Sequence, residues 1–275
     1  MNLDITIFRE LIQSYYQEPR PDPFLAWYWE KVNSKEINDA FRKVLVTLID
    51  ARFDQVTTAE NALENTIRIY NAGLIRDYPA SLEEVPSLIP VGDDTSEDWT
   101  EKFYFAHRTL IEVSKDVLKK KEWEAEELTK YIQRIPYIGP KTSRLAVRWL
   151  DEIVEELSID MRNYHIPIDR NIYRVTSRLG IIDPYKDKYW IGYNGGRADE
   201  LIQQFARTIF PDNPGLIDEP IWCEGRRWRD GGHCNSKNPI HTGCLFEEIC
   251  PKLHCDIDPV KHGMISYKRE SYKKW

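Results

Sequence analysis

Apolar residues recur at helical spacing over most of the chain, and two such stripes meet at a sharp break. Leu128, Tyr131, Ile132 and Ile135 form one stripe that stops at Pro136. The next starts after Pro140, where Leu145, Trp149, Ile153 and Leu157 run at i, i+4 with Ala146, Leu150 and Val154 beside them. The pattern predicts two amphipathic helices joined by a tight turn, a helix-hairpin-helix. Pro140 suits a first helical position because its missing N–H would lack a partner there anyway, and Gly139 permits backbone angles that a side chain forbids. A further helix is predicted after Asp169, with Ile172, Val175 and Leu179 on one face and Gly180 as its stop. Asp169 then occupies the N-cap. Thr57-x-x-Glu60 and Ser81-x-x-Glu84 read as capping signals that open helical stretches, and a long helix is predicted over Glu101 to Lys120. Pro86 to Thr100 and Pro211 to Lys237 read as loops. No alternating strand pattern, repeat or low-complexity tract interrupts the series, so the predicted fold class is all-α.

Composition adds bounds rather than detail. A chain of 275 residues with 41% hydrophobic content can bury a sizeable core in one large or two modest domains. It opens Met1-Asn2-Leu3-Asp4 without a signal-peptide pattern, and no apolar run is long enough to span a membrane. The expectation is a reducing, cytoplasmic and nucleoid-associated protein in which disulfides do not form. A formal net charge of −7 speaks against a nucleic-acid partner when taken as a sum. Its distribution changes that picture. Acid gathers at Asp93, Asp94, Glu97 and Asp98 and in a predicted helix with Glu122, Glu124, Glu126 and Glu127, while Arg226, Arg227 and Arg229 form a basic cluster. Lys268, Arg269, Lys273 and Lys274 interleave with Tyr267, Tyr272 and Trp275, a mixture suited to phosphate contact and base stacking.

The cysteines are the second marked feature. The first 222 residues hold none, and Cys223, Cys234, Cys244, Cys250 and Cys255 crowd into the next 33. In a reducing compartment this reads as a metal site. Cys234, His241, Cys244 and Cys250 stand in the spacing C-x6-H-x2-C-x5-C. A Cys3His zinc site is open on these residues. So is a set of unliganded thiols, although such thiols usually sit among apolar neighbours, and Asp230, Asn235, Lys237 and Glu247 are polar.

A helix start such as the one after Gly139 leaves first-turn amides without partners inside the helix, and the dipole there favours negative charge, so a DNA phosphate fits it. Spacing alone equally fits an ordinary helical hairpin. Residue identity favours the first reading. Ile135 to Ser143, I-P-Y-I-G-P-K-T-S, resembles the L-P-G-V-G-x-K-T-A hairpin of the helix-hairpin-helix DNA glycosylases. Pro167 to Val175, P-I-D-R-N-I-Y-R-V, resembles their V-D-T-H-I-x-R-V segment, in the same order, and the overall pattern is most similar to endonuclease III.

The resemblance implies Lys141 as nucleophile, Asp169 as its electrostatic partner, and Gly139 and Thr142 as parts of the DNA-binding hairpin. The cysteine spacing is similar to the family's C-x6-C-x2-C-x5-C, which holds a 4Fe-4S cluster, and Pro251 echoes the C-P ending of ferredoxin runs. The implied ligands are Cys234, Cys244 and Cys250, with the remaining place taken by His241 on spacing, or by Cys255 on the preference of such clusters for thiolates; Cys223 is a further candidate. Lys237, between the first two ligand positions, is the implied DNA-facing residue of that loop. Leu45 to Thr58 can be laid over the family's L-x-x-x-L-S-A-Q-x-T-D-V-S, which puts Arg52 where a glutamine fills the gap left by a flipped nucleotide. Arg52, with Phe53, then serves as a wedge, or else is a surface arginine suited to a helix C-terminus. Between Trp149 and Pro167 the chain is longer than the family pattern, through Asp160 to Tyr164.

The chemistry needs these residue types. Breaking an N-glycosidic bond builds positive charge on the sugar, which a carboxylate stabilises, while an amine can attack C1′ and displace the base. The Schiff base that follows acidifies the neighbouring sugar proton and permits β-elimination. Lys141 must lose its proton, which burial beside the positive end of its helix favours, whereas Asp169 must stay ionised at its N-cap. Taken singly, Lys141 would be an ordinary solvated lysine and Asp169 an ordinary cap.

The expected activity is that of a DNA glycosylase with abasic-site lyase activity, acting as a monomer on duplex DNA that contains a damaged or mismatched base. The alternatives are a glycosylase without lyase activity and a non-catalytic helix-hairpin-helix protein with a zinc site. The resemblance covers roughly residues 40 to 255 and implies two lobes. One is a six-helix barrel-type domain over 36–150; the other joins 1–35 to 165–275 and carries the cluster loop at about 223–255.

Overall fold

The helical periodicity is realised in a computed structural model that describes residues 3–17, 23–54, 59–89, 96–187, 189–191, 196–226, 243–255 and 265–267. Among these residues the fold is mostly helical, with ten α-helices and two short pairs of parallel strands. No helix of the described residues is long and apolar enough to cross a membrane. The chain divides into two compact units, Asp22–Asp160 and a discontinuous one made of Met1–Pro21 with Met161–Trp275.

In the first unit α2 (Pro23–Asn33), α3 (Ala40–Asp54), α4 (Ala59–Asn71), α5 (Ser96–Lys120), α6 (Ala125–Ile132) and α7 (Pro140–Ile153) follow in order, with strands β1 (Glu122–Glu124) and β2 (Ser158–Asp160). Every residue of α3 from Val44 to Phe53 is buried, as expected of a helix that is covered on all sides. It packs against α4, α5 and α7. Its one buried acid, Asp50, accepts a hydrogen bond from the Thr66 hydroxyl of α4 at 2.8 Å, which satisfies an otherwise costly buried charge. The N-terminal segment 22–35, expected in the other lobe, belongs here. Phe24 of α2 lies 4.7 Å from Trp149 of α7 and Trp27 sits edge-on to Tyr70 of α4.

The short strands were not legible as alternation. Glu122 pairs with Ser158, Trp123 with Ile159 and Glu124 with Asp160. Three-residue strands carry too few positions to show a period, and Glu122 and Glu124 therefore belong to a strand edge rather than to the helix expected there. The Ser81 signal opens only one turn of 3-10 helix, Leu82–Glu84, although the Ser81 amide donates to the Glu84 carboxylate at 2.7 Å as a capping box requires. The long helix begins earlier than expected, at Ser96.

The second unit contains α1 (Ile5–Tyr15), α8 (Arg170–Arg178), α9 (Arg197–Ile209) and α10 (Asp218–Arg226), with strands β3 (Tyr189–Ile191) and β4 (Ile265–Tyr267). The N-terminal helix joins it through Phe8, stacked on Phe246 and edge-on to Phe205, and through Arg9, whose Nε donates to the Ile209 carbonyl at 3.0 Å. Helix α8 ends at Gly180, φ 73, as predicted. Helix α10 lies inside a stretch read as a loop, because Pro220 and Gly225 look like breakers. Pro220 falls in the first turn, where a missing N–H costs little. Gly225 is where α10 crosses α8, since a Cβ there would lie 2.7 Å from the Asn171 Cβ and 2.8 Å from its carbonyl oxygen. The extra residues before Asp169 are partly structural: Met161 and Tyr164 are buried and close on Gly215.

Candidate active-site residues

The hairpin turn forms as the residues dictate, with a change in which one bears the unusual geometry. Pro140 opens α7, and Gly139 at its N-cap is extended (φ −96, ψ 178), a conformation open to any residue. The left-handed residue is Tyr137, φ 67. The Ser143 amide donates to the Gly139 carbonyl at 3.0 Å and the Thr142 hydroxyl to the same oxygen at 3.3 Å. Thr142 is fully buried, so its hydroxyl supports the turn rather than meeting DNA.

Lys141 is the second residue of α7. Its side chain is 36% exposed rather than buried, and its Nζ lies 3.4 Å from Oδ2 of Asp54, whose side chain is 11% exposed. Asp54 is the last residue of α3. The end of one helix therefore holds the amine at the start of another, across 87 residues of sequence. Sequence reasoning placed Asp54 in a motif but gave it no role.

Arg52, one turn-half earlier on α3, is neither a surface arginine nor an exposed wedge in this conformation. It is fully buried, with 0% exposure, and its guanidinium lies 5.6 Å from the ring centre of Phe53, 5.7 Å from Trp99, 5.8 Å from Phe103 and 5.5 Å from Tyr137. Among the described residues none of its three side-chain nitrogens has a hydrogen-bond partner. Cation–π attraction is the compensating interaction. Burial pulls the guanidinium well below its ordinary value, to about 10, with Tyr137 opposing. A base cannot reach Arg52 until that cage opens.

Asp169 belongs to the other unit and is the N-cap of α8. Its Oδ1 accepts from the amides of Asn171 at 2.7 Å and Ile172 at 3.0 Å, and its Oδ2 accepts from the indole Nε1 of Trp222 at 3.1 Å. Both oxygens are thus oriented, one by its own helix and one by α10. The chain leading into Asp169 is fixed by Gln203, whose side-chain oxygen accepts from the Ile166 amide at 2.9 Å and whose Nε2 donates to the Ile166 carbonyl at 3.0 Å. Trp222 and Gln203 carried no local signal, since each acts across more than thirty residues.

Three of the candidate metal ligands fall among the described residues of one turn-rich segment. The Cys250 amide donates to the Phe246 carbonyl at 2.8 Å, and the Cys250 thiol and the Leu253 amide both approach the Arg178 carbonyl, at 3.7 and 3.2 Å, so the segment docks on the end of α8. Cys244, Cys250 and Cys255 are each partly exposed, and the Cys255 thiol lies 3.2 Å from the Lys252 carbonyl. Cys223 differs. It is buried in α10, and the Tyr15 hydroxyl donates to its sulfur at 3.3 Å and to Glu219 at 3.0 Å. Burial, reinforced by Cys223 and Glu219, pushes the Tyr15 hydroxyl up, so it stays a donor. Among the described residues no group of three or more potential ligands is assembled. Cys234, Lys237 and His241 lie outside the described residues, as do Thr57, Arg227, Arg229 and the basic and aromatic run from Lys268 onward.

No protein-family model matches the chain, and no curated protein matches it. The likeness to the glycosylases rests on the sequence motifs alone.

Proposed function

We propose that this chain is a DNA glycosylase of the helix-hairpin-helix type with abasic-site lyase activity, acting on damaged or mismatched bases in duplex DNA. The observation that carries this reading is Lys141, a partly exposed amine in the first turn of the hairpin's second helix, held at 3.4 Å by Asp54. Phosphate binding at that helix start follows from its dipole and first-turn amides.

In this reading the Lys141 ammonium passes a proton to Asp54 or to solvent, and its Nζ forms a bond to C1′ as the bond from C1′ to the base nitrogen breaks. The electron pair leaves with the base, which takes up a proton. The Asp169 carboxylate, kept in place by two amides and the Trp222 indole, stabilises the positive charge that grows on the sugar. Opening of the sugar ring gives a protonated Schiff base, loss of the C2′ proton follows, and the C3′ oxygen departs with the downstream strand.

A 4Fe-4S cluster would be held by Cys234, Cys244 and Cys250 with Cys255 or His241; the soft sulfur donors fit iron–sulfur chemistry and, as the alternative, zinc. Cys223, committed to Tyr15 inside the α1 and α10 contact, fits less well. When bound, the cluster supplies a cross-link for the segment that docks on α8.

A second reading has its own support. The ion pair with Asp54 suits Lys141 as a charged group that positions the sugar while water attacks, which would be a glycosylase without lyase activity. Duplexes carrying single lesions, analysed on gels with and without alkali, separate the two. Strand breaks without alkali support the lyase, breaks only after alkali support the second reading, and no break on any lesion duplex under either condition removes both.

A further inference from the structure

Tyr137 stands at the hairpin tip with φ 67, a left-handed conformation that costs a residue with a side chain about 1 to 2 kcal/mol. The glycosylase pattern that the hairpin resembles has glycine at this position, so the turn itself has no need of a tyrosine. What the ring does is therefore worth its strain. It is 43% exposed, yet it is anchored. The Arg52 guanidinium lies 5.5 Å from its centre, the Lys102 ammonium 5.9 Å, and the Trp99 ring 6.3 Å away at 60°.

Arg52 backs the ring from inside: its fully buried guanidinium, without a hydrogen bond among the described residues, lies 5.5 Å from the Tyr137 centre and nearly as close to Phe53, Trp99 and Phe103. Cations stand near the tip: Lys102 over Tyr137, Arg134 three residues before it and Lys141 four after it, the last paired with Asp54. An exposed aromatic plate amid cations matches a flat ring that carries a phosphate beside it.

We propose that Tyr137, backed by Arg52 and flanked by Lys102, is a stacking site for an unpaired nucleobase of DNA. This rests on the DNA reading above and adds a residue by which distorted DNA is distinguished from intact duplex. A paired base inside a helix already has both faces stacked and offers none to Tyr137, whereas a bulged or extruded base offers one, and stacking on an aromatic side chain is worth about 1 to 3 kcal/mol per base. Lys102 meets the adjoining phosphate.

The test is fluorescence anisotropy with a labelled, fully paired duplex and the same duplex carrying one bulged thymidine, at fixed low salt. Wild type and Tyr137→Phe are expected to favour the bulged duplex equally. Tyr137→Gly is expected to bind it about ten-fold more weakly while its affinity for the paired duplex changes less than about two-fold. Glycine suits the left-handed angle, so the variant should fold, and its melting curve confirms that. Tyr137→Gly that folds and keeps the full bulge preference overturns the stacking site and leaves the DNA reading standing. Wild-type protein that binds neither duplex overturns the DNA reading and the stacking site with it.

Discussion

Replacing Arg52 with methionine is predicted to stabilise the protein. The guanidinium is fully buried, and burial pulls it well below its ordinary value, to about 10. At about 1.4 kcal/mol per pKa unit, this disfavours the charged form in the folded state by about 3 kcal/mol. The four surrounding rings return part of this through cation–π attraction, about 1 to 2 kcal/mol for a desolvated cation. Methionine is unbranched, fills irregular apolar space and contacts rings favourably, so Arg52→Met removes the charge penalty and keeps most of the packing. The net gain should be about 1 to 2 kcal/mol, which for a chain of this size is about 3 to 6 °C in melting temperature. Arg52→Ala should lower stability instead, because it leaves a cavity among Phe53, Trp99, Phe103 and Tyr137. Thermal melts followed by circular dichroism at pH 7 decide the matter. A methionine variant that melts more than about 3 °C below wild type would refute the reasoning, because it would mean that the buried charge is a net asset to the fold.

Two other predictions follow from oriented polar contacts. His107 of α5 is buried, its Nδ1 accepts from the Ala80 amide at 3.1 Å, and its Nε2 therefore carries the proton toward the Leu74 carbonyl at 3.0 Å. Burial lowers its pKa below the ordinary 6.5. The unfolded chain then binds a proton first as pH falls below about 6.5, and wild type should lose stability there by up to about 1.4 kcal/mol per pH unit more than His107→Gln does; equal pH slopes in urea titrations would dispose of this. Trp222→Phe removes the donor to the Asp169 Oδ2 and should slow base removal about ten- to a hundred-fold, since a hydrogen bond to a charged group is worth about 1.5 to 3 kcal/mol. An unchanged single-turnover rate would show that the indole does not orient the carboxylate.

Much of the fold was legible because it depends on local period and on caps. The stripes on either side of Pro136 became α6 and α7, and Asp169 and Gly180 closed the two ends of α8. Helix α10 was hidden by Pro220, which its first turn tolerates, and by Gly225, whose position only the crossing with α8 explains. The residues that complete the candidate site were hidden for a related reason. Asp54 meets Lys141 from 87 positions away and Trp222 meets Asp169 from 53, and such pairings leave no trace in the spacing of either segment. The burial of Arg52 was also invisible, because a cation at a helix end is usually solvated, and only the tertiary packing of α3 encloses it.

The central claim is that the Lys141 amine attacks the sugar. Sodium borohydride reduction with duplex DNA containing an abasic site tests it directly, because reduction fixes a Schiff base as a stable link between protein and DNA. Wild type should give a covalent adduct that migrates above free DNA, and Lys141→Gln should give none while still binding the duplex. No adduct from wild type, or equal trapping by Lys141→Gln, would contradict the account.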